Sequence, residues 1–123
     1  MVSYRITPQA QSDIISILAH SLADFGEQAA LRYEALINAA ILAVVKHPTG
    51  LGRKPRPELG SDVYQYYLAL SRNSIQPPVM RVKKPRHYLV YRLEGENKEI
   101  VAIGRILQDT SIPGNYLNAD SWK

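Results

Sequence analysis

The sequence predicts a two-layer α+β domain in which a helix hairpin packs on a small antiparallel sheet, in the order β-α-α-β-β-β. Three observations carry this. Two consecutive stretches of helical period are punctuated by Thr7-Pro8, Gly26 and Pro48. Aromatic and β-branched runs of strand length fill the C-terminal half. The second helix, finally, is too apolar to be covered by the first alone. With 123 residues, 46% hydrophobic and 21% charged, the chain is expected to form one domain, residues 1–123, with a core of ordinary size.

Ser3 to Ile6 reads as a strand. Thr7 then supplies an N-cap hydroxyl and Pro8 stands at the first helical position, where its missing N–H costs nothing. Ala10, Ile14, Ile17, Leu18, Leu22 and Phe25 form the buried stripe of the first helix, and Gly26 ends it. Glu27 opens a second helix to Lys46 with Ala30, Tyr33, Leu36, Ile37, Ala40, Ile41 and Val44 inward; Lys46 and His47 suit its negative end and Pro48 stops it. A connection of about three residues forces the two helices back on each other. Ala39 to Val45 is apolar all round, so a sheet should cover what the first helix leaves bare.

Pro48 to Asp62 is a loop by composition. Val63–Leu70, His87–Leu93 and Glu99–Leu107 are the strands, the last two joined by the turn Glu94–Lys98. Val79 to Lys83 alternates enough to extend a strand. On the last strand Ile100, Ala102, Gly104 and Ile106 share one face, with Gly104 open to a close helix approach. Val101, Ile103, Arg105 and Leu107 share the other, which a tail or a partner should cover. The tail from Thr110 to Lys123, with the single Trp122, is expected to order only in a complex.

Composition removes several functions. The absence of cysteine excludes disulfides, thiolate metal sites and thiol chemistry. The three histidines lie on separate elements without metal-ligand spacing, so no metal or cofactor is expected. The Gly50–Lys54 string follows a helix rather than linking a strand to one, unlike a phosphate loop. The longest nearly apolar stretch, Ala35 to Val45, is well short of the ~20 residues of a membrane span, and Met1–Ile6 carries no secretory signal, so a cytoplasmic location is expected.

Charge is more informative. Between Lys46 and Arg92 stand ten basic and two acidic residues, a local surplus of eight positive charges in a chain whose formal net charge is +4. Such a segment favours an acidic polypeptide or a phosphate backbone. Cleavage of RNA through its own 2′-OH would need a base, an acid and cations, which His87, Lys83, Arg86, Arg92, Arg105 and Tyr116 could supply. The alternative is that Arg92 and Arg105 neutralise carboxylates and lay their stems on the sheet, and that Tyr64, Tyr66, Tyr67, Tyr88 and Tyr91 are sheet-packing aromatics.

Several strings resemble the ParE/RelE superfamily of type II toxin–antitoxin toxins, in its ParE-like, plasmid-stabilisation branch. They run from Tyr4-Arg5-Ile6-Thr7-Pro8-Gln9-Ala10 through Phe25-Gly26, Tyr33 and Leu59-Gly60 to three C-terminal blocks: Leu70-Ser71-Arg72, Pro85–Arg92 and Gly104–Asp109. The resemblance implies a RelE/ParE-like fold, inhibition of DNA gyrase without enzymatic activity, and a hetero-oligomeric complex with a ParD-like antitoxin whose disordered, acidic segment folds on binding. It implies target contacts through Arg86, Arg92, Arg105 and Asp109, and an antitoxin groove at Tyr33, Leu68, Leu70, Arg72 and Val90. A RelE-like, ribosome-dependent mRNA endonuclease using Lys83, Arg92, Arg105 and Tyr116 is the alternative. The chain departs from the family where Gln108 replaces a common His and Ser111-Ile112 a Met-Asp pair.

Overall fold

The computed structural model describes residues 3–123. Met1 and Val2, on which part of the reading of the N-terminus rests, lie outside them. The elements are β1 (Ser3–Ile6), α1 (Pro8–Phe25), α2 (Glu27–Lys46), β2 (Lys54–Pro55), β3 (Val63–Tyr67), β4 (His87–Glu94) and β5 (Ile100–Gln108). The strands form one five-stranded sheet in the order β1-β5-β4-β3-β2. The fold is α+β as expected, but the sheet is mixed: β1 runs parallel to β5, and the other pairings are antiparallel.

The helix boundaries follow local chemistry. The Thr7 hydroxyl accepts from the Ala10 N–H at 3.1 Å and donates to the Gly104 carbonyl at 3.0 Å, so one buried side chain starts α1 and ties it to β5. Gly26, at φ +91°, is the only residue between the helices, tighter than the expected connection. At the far end of α2 the helix carbonyls are capped by an arginine the sequence reading did not assign. Arg53 donates to the carbonyls of Ala43, His47 and Leu51 at 2.9, 2.8 and 2.7 Å and stacks on Tyr66.

Two apolar layers flank the sheet. On the helix side Ala10, Leu36, Ile37, Ala40, Ile41 and Val44 pack on Tyr66, Leu89, Tyr91, Val101, Ile103 and Ile106. The stripe of α1 leaves the core early, for Leu22 and Phe25 are 53% and 78% exposed, and Leu42 of α2 is half exposed despite its apolar neighbours. The length and composition of α2 would also suit a membrane span; here its apolar side supplies much of the core.

On the opposite side Val63, Tyr88, Val90, Ala102 and Leu107 are covered by Trp122. The tail is therefore ordered within the chain itself, contrary to expectation. An Asn118 capping box ends it in a short turn, Ala119–Trp122, and the Arg5 guanidinium donates to the Trp122 carbonyl. Gly104 makes this possible, because a Cβ there would lie 2.6 Å from the indole. The close approach is that of a tryptophan rather than a helix.

Gly104 is also the extra residue of a bulge: Val90 pairs with Arg105 but Tyr91 with Ile103. The bulge breaks the expected alternation of β5: Ile106 and Leu107 keep their expected sides, but before Gly104 Val101 and Ile103 turn toward the helices and Ala102 toward Trp122. Two other expectations change. The strand from Val63 stops at Tyr67 and turns into a tight 3-10 segment, Leu68–Ser74, and Val79 to Lys83 is irregular.

Candidate functional site

The residues of the basic segment divide into two groups. Its arginines mostly hold loops: Arg72 donates to the Val82 carbonyl at 2.6 Å, and Arg81 to those of Ile75 and Asn73 at 3.1 Å. Lys83, Lys84 and Arg86 make no ion pair among the described residues. With Arg32 and Arg81 they line one side of a cleft of about 810 Å³ between α1, the start of α2, residues 80–87 and the C-terminal end of β5. Asp13 and Asp24 are its acidic residues, and Ile17, Phe25 and Met80 its chief apolar ones. The field in this cleft is positive, and its walls are partly greasy.

Tyr33 and His87 meet at the edge of this cleft, with the Tyr33 hydroxyl 2.6 Å from His87 Nδ1. The Tyr33 hydroxyl also accepts from the Arg86 N–H at 3.0 Å, so the phenol oxygen joins α2 to both the backbone and the ring at the start of β4. Burial pushes the Tyr33 phenol up. Burial also pushes His87 below its ordinary value of 6.5, against the opposing charges of Asp109 and Asp13. The pair is neutral near pH 7.

This sets the sign of a pH effect. An imidazole whose folded pKa is depressed contributes stability that is complete above 6.5 and is lost as the pH falls from that value toward the folded pKa. The wild-type melting temperature is expected to fall between pH 7.5 and 5.5, and His87→Gln to flatten the profile there. An unchanged slope in the variant would remove His87 from this role. Glu94 adds a lower window. Burial alone would raise its pKa, but hydrogen bonds from Arg5 and Arg92 outweigh burial and lower it, so its contribution is lost only as pH falls past the carboxylate range.

The structure separates the other residues singled out from sequence. Arg105 is held by Asp13 through Nε and Nη2 at 2.8 and 2.9 Å, and donates to the Tyr116 carbonyl at 3.0 Å. Arg92 pairs with Glu94, its guanidinium 4.7 Å over the Trp122 ring on the sheet face away from the helices. Lys83 lies in the cleft on the helix side. Tyr116 stacks on Arg105. Arg92 therefore stands apart from Lys83, across the sheet, while Arg105 and Tyr116 form one group with Asp13, itself a cleft residue.

Among the groove residues, Tyr33 lines the cleft, Arg72 braces its basic wall, and Leu70 is exposed but lies against Gly52, outside the cleft. Leu68 and Val90 require correction. Each is fully buried, on opposite sides of the sheet, and neither offers surface to a partner. Arg86 and Asp109 are exposed and adjacent, joined by the Asp109 N–H donating to the Arg86 carbonyl at 2.8 Å. Arg32 and Met80 went unnoticed in the sequence, since only the fold brings α2 against residues 80–84.

The fold is shared with toxin–antitoxin systems. One chain of the chromosomal ParDE system of P. aeruginosa superposes with a TM-score of 0.58 at 18% identity, over 88% of this chain and 96% of that one. One chain of the RelBE2 complex of Mycobacterium tuberculosis does so with a TM-score of 0.50 at 18% identity, over 87% and 96%. No curated protein matches the sequence significantly. Residues 4–110 match the family described as the ParE toxin of the type II toxin–antitoxin system parDE, and the chain belongs to that family. It is a type II toxin.

Proposed function

We propose that this toxin inhibits DNA gyrase and is neutralised by a cognate ParD-like antitoxin that occupies the basic cleft. The observation that carries the first half is the fate of Arg92 and Arg105. Both guanidinium groups are spent on carboxylates within the chain, on a different side of the molecule from Lys83 or in a closed pair beside α1. A ribonuclease must gather free cations and a proton carrier around one phosphate. The chain uses these groups to hold itself together, and Gln108 offers no imidazole.

Arg86 and Asp109, exposed side by side at the end of the sheet, are the gyrase contacts in this reading. Tyr33 and the basic wall braced by Arg72 face the antitoxin. The positive cleft speeds encounter with an acidic chain, and burial of Phe25, Met80 and Ile17 holds the complex.

The test is a supercoiling reaction with purified gyrase and relaxed plasmid. Micromolar toxin is expected to stop supercoiling or to trap cleaved DNA, and Arg86→Ala to weaken the effect by about tenfold. Intact supercoiling together with cuts in translated mRNA would replace this reading with that of an mRNA endonuclease.

A further inference from the structure

Residues 111–123 lie beyond the stretch that matches the toxin family. Among the described residues, every main-chain N–H···O=C bond they donate goes to a carbonyl three residues earlier, as from Asn115 to Ile112, Ser121 to Asn118 and Lys123 to Asp120. None of them belongs to the sheet. Asp120 and Lys123, the two charged side chains of the tail, pair with each other at 3.0 Å. What the tail offers the rest of the fold is therefore neutral, namely carbonyls and rings.

Guanidinium groups from three strands take hold of these. Toward the start of the tail, Arg105 of β5 donates to the Tyr116 carbonyl at 3.0 Å and faces the Tyr116 ring, while the Tyr88 hydroxyl donates to the Ser111 carbonyl at 2.9 Å. At its end, Arg5 of β1 donates to the Trp122 carbonyl and Arg92 of β4 lies 4.7 Å over the indole. Each hook depends on a carboxylate outside the tail. Asp13 orients Arg105. Glu94 accepts from Arg5 through Oε1 and Oε2 at 3.0 and 2.9 Å, and from Arg92 through the same Oε2. Two guanidinium groups thus meet at one oxygen, where without the anion they would repel each other. Arg5 Nη2 bridges the Glu94 carboxylate and the Trp122 carbonyl.

We infer that residues 111–123 form a releasable strap, locked at its end by Glu94 acting through Arg5 and Arg92, that opens as a unit and uncovers Val63, Val90, Ala102 and Leu107 while the helices and the sheet stay folded. Glu94 is a positioning residue, acting on the tail through the two arginines. A segment tied to the core by side chains alone belongs to the low-stability end of a structure, so it opens before the whole chain does. The open form is a minor state of the same fold, and the lock sets how often the second apolar face meets water.

The test exploits the absence of cysteine, since one introduced thiol then reports on one face of the whole protein. Val90→Cys places it under the strap, and Val101→Cys places it on the helix side of the same sheet; both positions are fully buried. Reaction with a small disulfide reagent is followed in rising urea below the unfolding transition. Val90→Cys is expected to react at least about tenfold faster than Val101→Cys, through an opening that urea barely affects, while Val101→Cys follows global unfolding. Glu94→Gln should speed the labelling of Val90→Cys about tenfold. Arg5→Lys should do much the same, because lysine keeps a charge for Glu94 but cannot fork to the carboxylate and the carbonyl together. It reads the lock even if Glu94→Gln costs the fold.

Equal rates at the two positions with the same urea dependence would show that the tail leaves only when the chain unfolds, and would overturn the strap. So would a thiol at position 90 that reacts as fast as a free one, since nothing would then cover it. If Arg5→Lys leaves the Val90→Cys rate unchanged, the lock is overturned whatever Glu94→Gln does.

Discussion

Trp122→Ala is expected to lower the unfolding free energy by about 3–5 kcal/mol, the usual cost of emptying a buried tryptophan site. The indole is 6% exposed and is the main cover of a sheet face whose other members, Val63, Tyr88, Val90, Ala102 and Leu107, would meet water without it. It also carries the Arg92 guanidinium on its ring, while its backbone carbonyl accepts from Arg5. A tail of a few residues thus serves as the second layer of the fold.

The companion variant is Gly104→Ala. A methyl group there would lie 2.6 to 3.1 Å from three indole carbons, so the ring must shift, at a cost of about 1–3 kcal/mol. In the double variant the added methyl meets no ring, and the combined loss should fall short of the sum of the two. Denaturant titration measures all three, and the fluorescence of the single tryptophan follows the tail in the Gly104 variant. If Trp122→Ala changes stability by less than about 0.5 kcal/mol, as an ordinary surface substitution would, the tail is not a structural layer.

Asp13→Ala should have the second large effect, about 2–4 kcal/mol. The Asp13 carboxylate and Arg105 guanidinium have side-chain exposures of 14% and 18% and make two hydrogen bonds to each other. The same carboxylate accepts the Ile106 N–H. Alanine leaves a largely buried cation without its anion and an edge amide without its acceptor. The bond from Asp13 also raises the Arg105 pKa, so the guanidinium keeps its charge at every working pH.

The consequences are asymmetric. Arg105→Ala leaves Asp13 bonded to Ile106, and Asp13→Asn keeps an acceptor while losing the charge; both should cost less than Asp13→Ala. Thermal and denaturant unfolding of the three variants check the order. If Arg105→Ala proves the costliest, the carboxylate is not the keystone of this junction. If it abolishes toxicity without loss of stability, Arg105 acts on a target rather than on the fold.

The helices were legible in the sequence because their signals are local. Thr7-Pro8, Gly26 and Pro48 mark ends that do not depend on the rest of the chain, and the 3.6-residue period identifies the inner face of α2 directly. β4 and β5 were legible within a residue for a similar reason, the run of aromatic and β-branched residues around a polar turn. The parallel pairing of β1 with β5 was not, since it joins residues nearly a hundred apart with every other element of the fold between them in the chain.

The faces of β5 hold at Ile106 and Leu107 but reverse at Val101, Ala102 and Ile103, because the Gly104 bulge shifts the alternation by one residue. The same glycine, with a lone Trp near the C-terminus, was the available signal for an ordered tail. The charge surplus pointed correctly to a basic middle segment. It could not show that Arg53, Arg72 and Arg81 are occupied with carbonyls while Lys83, Lys84 and Arg86 remain at a cleft, because that division depends on which loop carbonyls come within reach.

The most direct test of gyrase as the target is the order in which macromolecular synthesis stops when the chain is induced without an antitoxin. Pulse labelling with thymidine and methionine in the same culture should show DNA synthesis collapsing first while translation continues, and co-expression of the cognate antitoxin should prevent both. Translation failing first, with mRNA cut at the ribosome and replication continuing, would contradict it.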